Sequence, residues 1–131
     1  MEPHRNEVLV RRFYAALAEG DLEAIDAIVE DDVVFHEPGE SRVGGDYRGK
    51  EEVLAFFARI GVVTEGTLRV DQVRDVVTND RCAIALFDVS AQRGGQMIKG
   101  DVSELFTIVD GKITDIRAYV YDQPEWDKAF A

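Results

Sequence analysis

The stretch VSELFTIVDGKITDIRAYV, residues 102–120, has two runs rich in apolar side chains on either side of a central Asp110-Gly111 pair. Side chains two positions apart share one face of a strand, and Asp-Gly is a preferred turn of antiparallel hairpins. The stretch therefore predicts a long hairpin. One face of its first strand holds Val102, Glu104, Phe106 and Ile108, so a carboxyl group stands on an otherwise apolar face.

Strand-like segments fill the second half of the chain around this hairpin. They cover residues 67–78, 82–92, 97–109 and 112–122, and their short connections contain Asn79-Asp80, Gly94-Gly95 and Asp110-Gly111. Sequential hairpins of this kind indicate an antiparallel sheet, which twists strongly at this strand length.

Helical periodicity dominates the first half of the chain. Apolar residues recur at helical spacing from residue 3 or 5 to Glu19, and Gly20 is the type of residue that ends a helix. Asp21 then caps a second helix, and a third helix is predicted from residue 49 or 50 to Gly61.

A short strand separates the second and third helices. It covers residues 33–38 and ends at Pro38, which has no N–H for a further ladder bond. A polar loop is predicted over residues 39–48. Helices followed by hairpins predict a single α+β domain over residues 1–131, with the helices lying across one face of the sheet.

The second face of the predicted sheet is also apolar. It is expected to hold Phe87, Val89, Leu105, Tyr119 and Tyr121. Because so apolar a patch is unfavourable in water, we expect a homodimer through this open face. An ordinary outer face with scattered aromatic residues is the alternative.

The charge balance excludes several classes of protein. The 131 residues include 15 basic and 26 acidic side chains, for a formal net charge of −11. Binding to nucleic acid or to anionic membranes needs a basic surface, so neither is an expected partner.

The single cysteine, Cys82, cannot form an internal disulfide. With no visible signal peptide and no apolar run of membrane-spanning length, the expected location is the cytoplasm.

Three acidic residues stand where the pattern favours apolar side chains. Glu104 lies on the apolar strand face, Glu37 directly precedes Pro38, and Asp88 follows Leu86 on its own face. Apolar surroundings disfavour the charged form of a carboxyl group and raise its pKa toward the range useful for proton transfer. Each residue also has a structural explanation. Glu37 could cap a loop and face water, Glu104 could pair with an arginine such as Arg74, and Asp88 could lie where its strand leaves the core.

Four segments resemble a known superfamily in their order and spacing. They are RRFYAALAEGDL (11–22), VFHEP (34–38), YRGKEEV (47–53) and ELFTIVDGKI (104–113). With them the chain resembles the nuclear transport factor 2-like (NTF2-like, or cystatin-like) superfamily, and within it the ketosteroid isomerases and SnoaL-like polyketide cyclases. The resemblance implies a cone-shaped roll, in which a curved antiparallel sheet wraps around three N-terminal helices and encloses a deep pocket.

The resemblance also implies roles for two of the acids. Ketosteroid isomerases use an aspartate that precedes a proline, at the end of the first strand, as general base, and Glu37 occupies that place. A second aspartate on a later strand stays protonated and donates a hydrogen bond to the oxyanion, and Glu104 matches it. Asp88 is a further candidate acid. This chemistry requires neither a cofactor nor a metal.

One position departs from the isomerase pattern. The tyrosine of the first helix that completes the oxyanion hole corresponds to Phe13, and Tyr14 follows about 100° further round the helix. Limonene-epoxide hydrolases carry an aspartate within an Arg-Asp-Tyr segment, where this chain has Arg117-Ala118-Tyr119. The late-strand acid–base group of the polyketide cyclases has Asp88 or Glu104 as its candidates.

The expected ligand is a small, largely apolar carbonyl compound. If Glu37 and Glu104 face one closed pocket of about 300 Å³ or more, the sequence favours an isomerase, cyclase or dehydratase that abstracts a proton α to a carbonyl. The expected walls come from ten residues, namely Phe13, Tyr14, Leu17, Phe35, Phe56, Phe57, Leu86, Phe106, Ile116 and Val120. A noncatalytic ligand-binding or protein-association module of the same fold is the alternative hypothesis.

The histidines and the cysteine carry little functional signal. His4 and His36 lack the spacing of a metal-binding pair. Alternation directs His36 away from Glu37, toward the surface or an interface. Cys82, on a predicted strand, is expected to be a buried, inert thiol.

Overall fold

The computed structural model describes residues 2–131 as a mixture of helices and strands, which confirms the predicted α+β class. The first half contains α1 (Arg5–Glu19), α2 (Leu22–Ile28), β1 (Val29–Glu37), β2 (Gly45–Arg48) and α3 (Lys50–Val63). The second half contains β3 (Arg69–Thr78), β4 (Cys82–Arg93), β5 (Gln96–Val109), β6 (Lys112–Val120) and α4 (Gln123–Ala129).

The signals between the first two helices act as the sequence predicts. Gly20 ends α1 with a φ of +65°, a conformation that glycine adopts without steric cost. The Asp21 carboxylate caps α2 by accepting a hydrogen bond of 3.1 Å from the backbone N–H of Ala24. Of the helices in residues 2–131, none has the length and apolar composition needed to cross a membrane.

A single curved sheet joins the six strands of residues 2–131 in the order β2-β1-β6-β5-β4-β3. The strands β3 to β6 form sequential antiparallel hairpins, as predicted. Two features differ from the prediction. The strand β1 pairs in parallel with β6, so that Phe35 lies beside Ile116, and the expected loop 39–48 contains β2, which pairs with β1. No local turn signal encodes the parallel contact, because the connection between its strands runs through α3 and four further strands.

The helices cover the concave face of the sheet and build the core with it. The helix α1 packs on β3 and β4, while α3 packs on β1 and β2. Phe13 is fully buried at the centre and makes edge-on contacts with Phe57 and Phe106, at ring-centroid distances of 5.7 and 5.3 Å. Register shifts between Thr107 and Ile108 interrupt the β5–β6 ladder, and such irregularities bend a sheet.

The two faces of β4 are opposite to the prediction. Phe87 and Val89, expected on the open face, are buried on the helix side, while Leu86 and Asp88 lie on the outer side. The register explains the difference, since Phe87 pairs directly with Val102 and opposed residues share a face. The error came from grouping Asp88 with the inward acids, although the alternate residues of β4 are the more apolar set.

The C-terminal helix α4 closes one end of the fold. The Gln123 amide donates a hydrogen bond of 3.4 Å to the Pro38 carbonyl, just after β1. At the other end of the helix, the Arg93 guanidinium donates a bond of 2.9 Å to the Ala129 carbonyl. These contacts hold Trp126 over the concave face of the sheet, where it is buried.

Candidate functional site

A small apolar cavity of about 60 Å³ lies between the helices and the concave face of the sheet. Its walls come from α1, α3 and α4 and from five of the strands. Among the described residues that line it, Glu37 and Glu104 are the two carboxylic acids, and none is basic. The structure thus brings together two of the three acids that the sequence singled out.

Glu104 reaches the cavity because alternation along β5 directs it inward with its buried neighbours Val102 and Phe106. The Tyr14 hydroxyl donates a hydrogen bond of 2.5 Å to Glu104 Oε1. Burial raises the pKa of Glu104 to about 7, although the hydrogen bond from Tyr14 acts to lower it. Burial, followed by the charge of Glu104, raises the pKa of the Tyr14 phenol well above its usual value, so Tyr14 remains a donor.

Glu37 is the last residue of β1 and lines the same cavity. The Trp126 indole N–H donates a hydrogen bond of 3.2 Å to Glu37 Oε1. Burial first, and then the charges of Glu104 and Asp127, raise the pKa of Glu37 to about 8 against the lowering effect of the Trp126 hydrogen bond. Both acids are therefore poised to exchange protons near neutral pH.

Each of the two carboxyl groups keeps one oxygen free. Only the Oε1 atoms of Glu37 and Glu104 take part in hydrogen bonds with described residues. Within residues 2–131, every fully buried side-chain nitrogen or oxygen atom has a hydrogen-bond partner. Because the second oxygen of each acid has none, it is not fully buried. Both residues line the cavity, and these second oxygens are available to a ligand there.

The cavity is smaller than the predicted pocket of about 300 Å³. Aromatic rings take up the space, since Phe35 stacks on Phe56 at a centroid distance of 4.9 Å and Phe57 meets both rings edge-on. One part of the wall is less tightly enclosed. Its half-buried side chains are Leu17, Leu68, Val70 and Val120.

Asp88 does not belong to this site. It lies on the outer face of the sheet, where Arg74 Nη1 is 3.0 Å from its Oδ1 atom. The same guanidinium also pairs with Asp101 through a contact of 2.6 Å. The expectation that Asp88 faces the pocket is wrong, because the register of β4 turns it outward. Arg74, considered as a partner for Glu104, is paired instead with these outer acids.

Six of the ten predicted wall residues line the cavity. They are Tyr14, Leu17, Phe35, Phe56, Phe57 and Val120. The other four do not line it. Phe13, Phe106 and Ile116 are fully buried in the core behind the wall, and Leu86 lies on the outer face. Helical and strand periodicity distinguishes a buried face from an exposed one but cannot separate the cavity wall from the layer behind it.

Periodicity and motif spacing do not predict the role of Trp126, whose indole lies beside Glu37. The one available signal is chemical, because a tryptophan on a short amphipathic terminal segment brings an N–H donor that needs a buried acceptor. Phe87 and Val89 of β4 also line the cavity and were assigned to the wrong face.

His36 lies on the outer side of β1, as alternation predicts. Its Nδ1 atom is 2.7 Å from Asp46 Oδ1, and its Nε2 atom is 2.9 Å from Asp115 Oδ1. These contacts tie β1 to both neighbouring strands. Cys82 is half-buried rather than buried, and its Sγ atom lies 3.5 Å from Asn79 Oδ1.

A comparison with known protein families identifies the class of protein to which this fold belongs. The model of the SnoaL-like domain family matches residues 10–116, and the chain belongs to this family. The resemblance inferred from the four sequence segments is therefore confirmed at the level of family and fold.

Individual relatives extend over nearly the whole chain. The uncharacterised protein Rv0034 of Mycobacterium tuberculosis strain H37Rv is 32% identical over 115 residues, which are 87% of either protein. Among solved structures, Bal32a from a soil-derived mobile gene cassette has a TM-score of 0.93 and 31% identity, with 97% of both chains covered. A protein of unknown function with a cystatin-like fold from Xanthomonas campestris has a TM-score of 0.90 and 25% identity, over 96% of this chain and 98% of that one.

Proposed function

We propose that this protein binds a small, uncharged, largely apolar carbonyl compound in the cavity and transfers a proton at the carbon next to the carbonyl. The observation that carries the proposal is the pair of buried acids, Glu37 and Glu104, on one apolar wall without a basic partner. Acids whose pKa values lie near 7 both accept and donate protons at neutral pH. The reaction class is isomerase-like or cyclase-like and uses no cofactor.

The electrostatics of the cavity favour an uncharged ligand. Two buried carboxylates in one cavity repel each other, and the charge of Glu104 raises the pKa of Glu37. Near neutral pH the cavity therefore holds about one negative charge. An anionic ligand would meet that charge with no lysine, arginine or histidine among the described wall residues to offset it.

The proposed proton transfer needs one of the two acids ionised and the other protonated. A carbonyl group acidifies the neighbouring C–H bond, and an ionised carboxylate can remove that proton. The second carboxyl, still protonated, donates a hydrogen bond to the oxygen that becomes an enolate. An apolar cavity strengthens both interactions because little water competes for the charges.

The size of the cavity limits how the ligand enters. At about 60 Å³, the empty cavity is well below the range of about 300–1,000 Å³ typical of ligand sites. A ligand must therefore displace part of the wall. The half-buried apolar side chains Leu17, Leu68, Val70 and Val120 are the least buried part of it. We expect the cavity to widen there when a ligand binds.

Exchange of carbon-bound protons for deuterium tests the proposed reaction. The wild-type protein is incubated in D₂O with small cyclic ketones and β,γ-unsaturated ketones, and loss of the α-proton signal is followed by NMR. We expect exchange above the buffer rate for at least one ketone, and a fall of about 10²–10⁴-fold when both acids are replaced by glutamine. Asp88→Asn, a change of the same kind on the outer face, is the control that keeps the wild-type rate.

Two results would count against a catalytic function. One is an absence of exchange with every ketone despite measurable binding of the same compounds, which would favour a noncatalytic ligand-binding module. The other is equal exchange by the wild-type protein and the Glu37→Gln/Glu104→Gln variant, which would place the chemistry outside the cavity.

We also propose that the outer face of the sheet forms a homodimer interface. Leu105, Tyr119 and Ile84 lie on this face, with 50% of Tyr119 and 39% of Ile84 exposed. The charged groups there are paired with each other, as in the Arg74 contacts with Asp88 and Asp101, which lowers the cost of covering them.

Sedimentation velocity tests the proposed dimer. We expect a dimer for the wild-type chain and a monomer for Leu105→Glu, because a charge placed at the centre of the face must be desolvated on association. Val62→Glu changes an exposed apolar residue of α3 and is the matched control that remains dimeric. A wild-type monomer at high protein concentration would overturn the proposal.

A further inference from the structure

We propose that Glu104, hydrogen-bonded to Tyr14, is the base of this site and that Glu37, hydrogen-bonded to Trp126, is the acid that carries the proton. This assignment is opposite to the one that the family resemblance implies for the two positions. Its catalytic meaning rests on the proposed function, whereas the position of the proton can be measured without a substrate.

The contact with Tyr14 favours the ionised form of Glu104. Its length of 2.5 Å lies in the range of hydroxyl donors bound to carboxylates. Tyr14 has no other hydrogen-bond partner among the described residues. If Glu104 were protonated and donated to the phenol oxygen, the phenol proton would have no acceptor in the protein. The ionised carboxylate satisfies Tyr14 and keeps its second oxygen free to accept a proton.

The contact with Trp126 favours the ionised form of Glu37 only weakly and is compatible with the protonated form. An indole N–H is a less acidic donor than a phenol, and its distance of 3.2 Å is at the long end of the hydrogen-bond range. Glu37 Oε1 accepts this bond in either protonation state, so the proton resides on Oε2. That oxygen has no partner among the described residues and can donate to a carbonyl oxygen in the cavity.

The surrounding charges act in the same direction. Glu37 faces two acidic carboxyls, Glu104 from β5 and Asp127 from α4, together with the neutral phenol of Tyr47 from β2. Glu104 faces Tyr14 from α1 and the carboxyl of Glu37 from β1. Negative neighbours favour the neutral form of a carboxyl group. The pKa of about 8 for Glu37 and of about 7 for Glu104 agree with this order.

The proposed step balances without any further reactant. Glu104 Oε2 takes the proton from the α-carbon, and the electrons of the C–H bond form a C=C bond while the carbonyl electrons move to oxygen. Glu37 stabilises the resulting enolate by donating its hydrogen bond. Glu104 then returns the same proton to the α-carbon or to a conjugated carbon, which completes exchange or isomerisation and restores both acids.

Trp126 provides a direct reporter for the proton on Glu37, because it is the single tryptophan of the chain. In protein labelled with ¹⁵N, its indole N–H gives one NMR resonance that shifts when Glu37 ionises. We expect a titration midpoint near pH 8 in the wild type and a lower midpoint in Glu104→Gln, which lacks the neighbouring charge. In Glu37→Gln the main titration of this resonance disappears.

The same spectra determine the order of ionisation. A ¹³C label at the phenol carbon of tyrosine, with Tyr14 assigned by comparison with Tyr14→Phe, reports on Glu104. The proposal requires the Tyr14 signal to titrate at lower pH than the indole signal. An indole midpoint below that of Tyr14 would overturn it, whatever the protein catalyses.

Single variants test the roles in the exchange assay. Glutamine at position 37 still offers an amide N–H to the enolate oxygen, so we expect Glu37→Gln to lose no more than about tenfold. Glutamine at position 104 cannot accept the proton, so Glu104→Gln should lose about 10²–10⁴-fold. The reverse pattern would overturn the assignment. A pH–rate profile does not distinguish the two assignments, because its apparent pKa values belong to the coupled pair of acids and do not show which of the two carries the proton. If no ketone exchanges, the proposed function fails while the NMR titration still decides which acid holds the proton.

Discussion

The concave and convex faces of the sheet carry the same type of side chain in opposite electrostatic settings. Glu104 and Asp101 lie three residues apart on β5. Glu104 faces the cavity and has only the neutral donor Tyr14, whereas Asp101 lies on the outer side beside the Arg74 guanidinium. Burial raises the pKa of Glu104, and its partner only partly offsets that effect.

The two faces of β5 thus give their acids different roles, one in local structure and the other in the proposed proton transfer. An acid paired with arginine in partly exposed surroundings is ionised and contributes little beyond local order. An acid buried beside a neutral donor titrates near neutral pH, and the stability of the folded state then depends on its protonation. Alternation along β5 places the two acids on opposite faces, so the face of the sheet decides the role of each.

The largest expected effect is a change of stability with pH that arises from the two buried acids of the concave face. The pKa values of Glu37 and Glu104 in the folded protein lie above their ordinary value of 4.5. Their contribution to folding is therefore present below about pH 4.5 and is lost as the pH rises through about 7 to 8. At pH 9 we expect Glu37→Gln to increase the free energy of unfolding by on the order of 3 kcal/mol.

Urea denaturation at pH 5 and pH 9 measures this effect. Asp88→Asn is the control on the outer face, and it should slightly destabilise the protein at both values, because it weakens the contact with Arg74. If Glu37→Gln lowered the stability at pH 9, the acid would be ionised at little cost and the contrast between the faces would be lost.

A second expected effect concerns the packing of Trp126 against the sheet. A Cβ atom at Gly100 would stand 2.7 Å from Trp126 Cζ3 and 2.9 Å from Val89 Cγ1. We expect Gly100→Ala to cost about 1–3 kcal/mol, since a well-packed wall must move to admit a methyl group. Tryptophan fluorescence should shift at the same time, because the indole leaves its contact with Glu37.

Gly61→Ala provides the matched control for this substitution. Gly61 lies within α3 and nothing approaches its Cβ position within 4 Å. The same change should stabilise the protein there by about 0.5–1 kcal/mol through the helix propensity of alanine. Equal effects at both positions would show that Trp126 is not held by close packing.

A third and smaller effect is expected for the Tyr14 hydroxyl. Tyr14→Phe removes the single hydrogen-bond partner of Glu104 among the described residues. We expect a loss of about 1.5 kcal/mol at pH 8, where Glu104 is ionised, and a smaller loss at pH 5. Tyr119→Phe alters an exposed tyrosine of the outer face and should be neutral at both pH values. A pH-independent loss would indicate that Tyr14 contributes by packing alone.

The smallest expected effect belongs to the outer ion pairs. Arg74 is 37% exposed and its partners Asp88 and Asp101 are 39% and 51% exposed. In the Leu105→Glu background, where no second copy covers the outer face, Arg74→Met should cost no more than about 1 kcal/mol, and the loss should shrink in about 1 M salt. A large loss that salt does not change would mean that these charges are effectively buried.

Much of the fold could be predicted because its signals are local. Gly20 and Asp21 mark the junction of α1 and α2, and the predicted helix end at Glu19 is confirmed. The turns near residues 80, 95 and 111 delimit the four hairpin strands to within a few residues. Such signals depend only on backbone conformations that a few residue types favour.

Other features could not be predicted, because they depend on contacts between distant segments. The parallel pairing of β1 with β6 has no local code, and the register of β4 decides that Phe87 rather than Leu86 lines the cavity. A shift of one residue exchanges the two faces of a strand, so a pattern that is apolar on both faces leaves this choice open.

The sequence by itself determined the class of fold, the family resemblance and the presence of misplaced acids at Glu37 and Glu104. Periodicity, capping residues and turns are properties of short segments, so they are legible without the tertiary structure. Only the tertiary structure decided that these two acids share one cavity, that Asp88 lies outside it, and that Tyr14 and Trp126 are their partners. Each of those facts joins residues far apart in the chain, and the pKa of a buried acid depends on its neighbours in space.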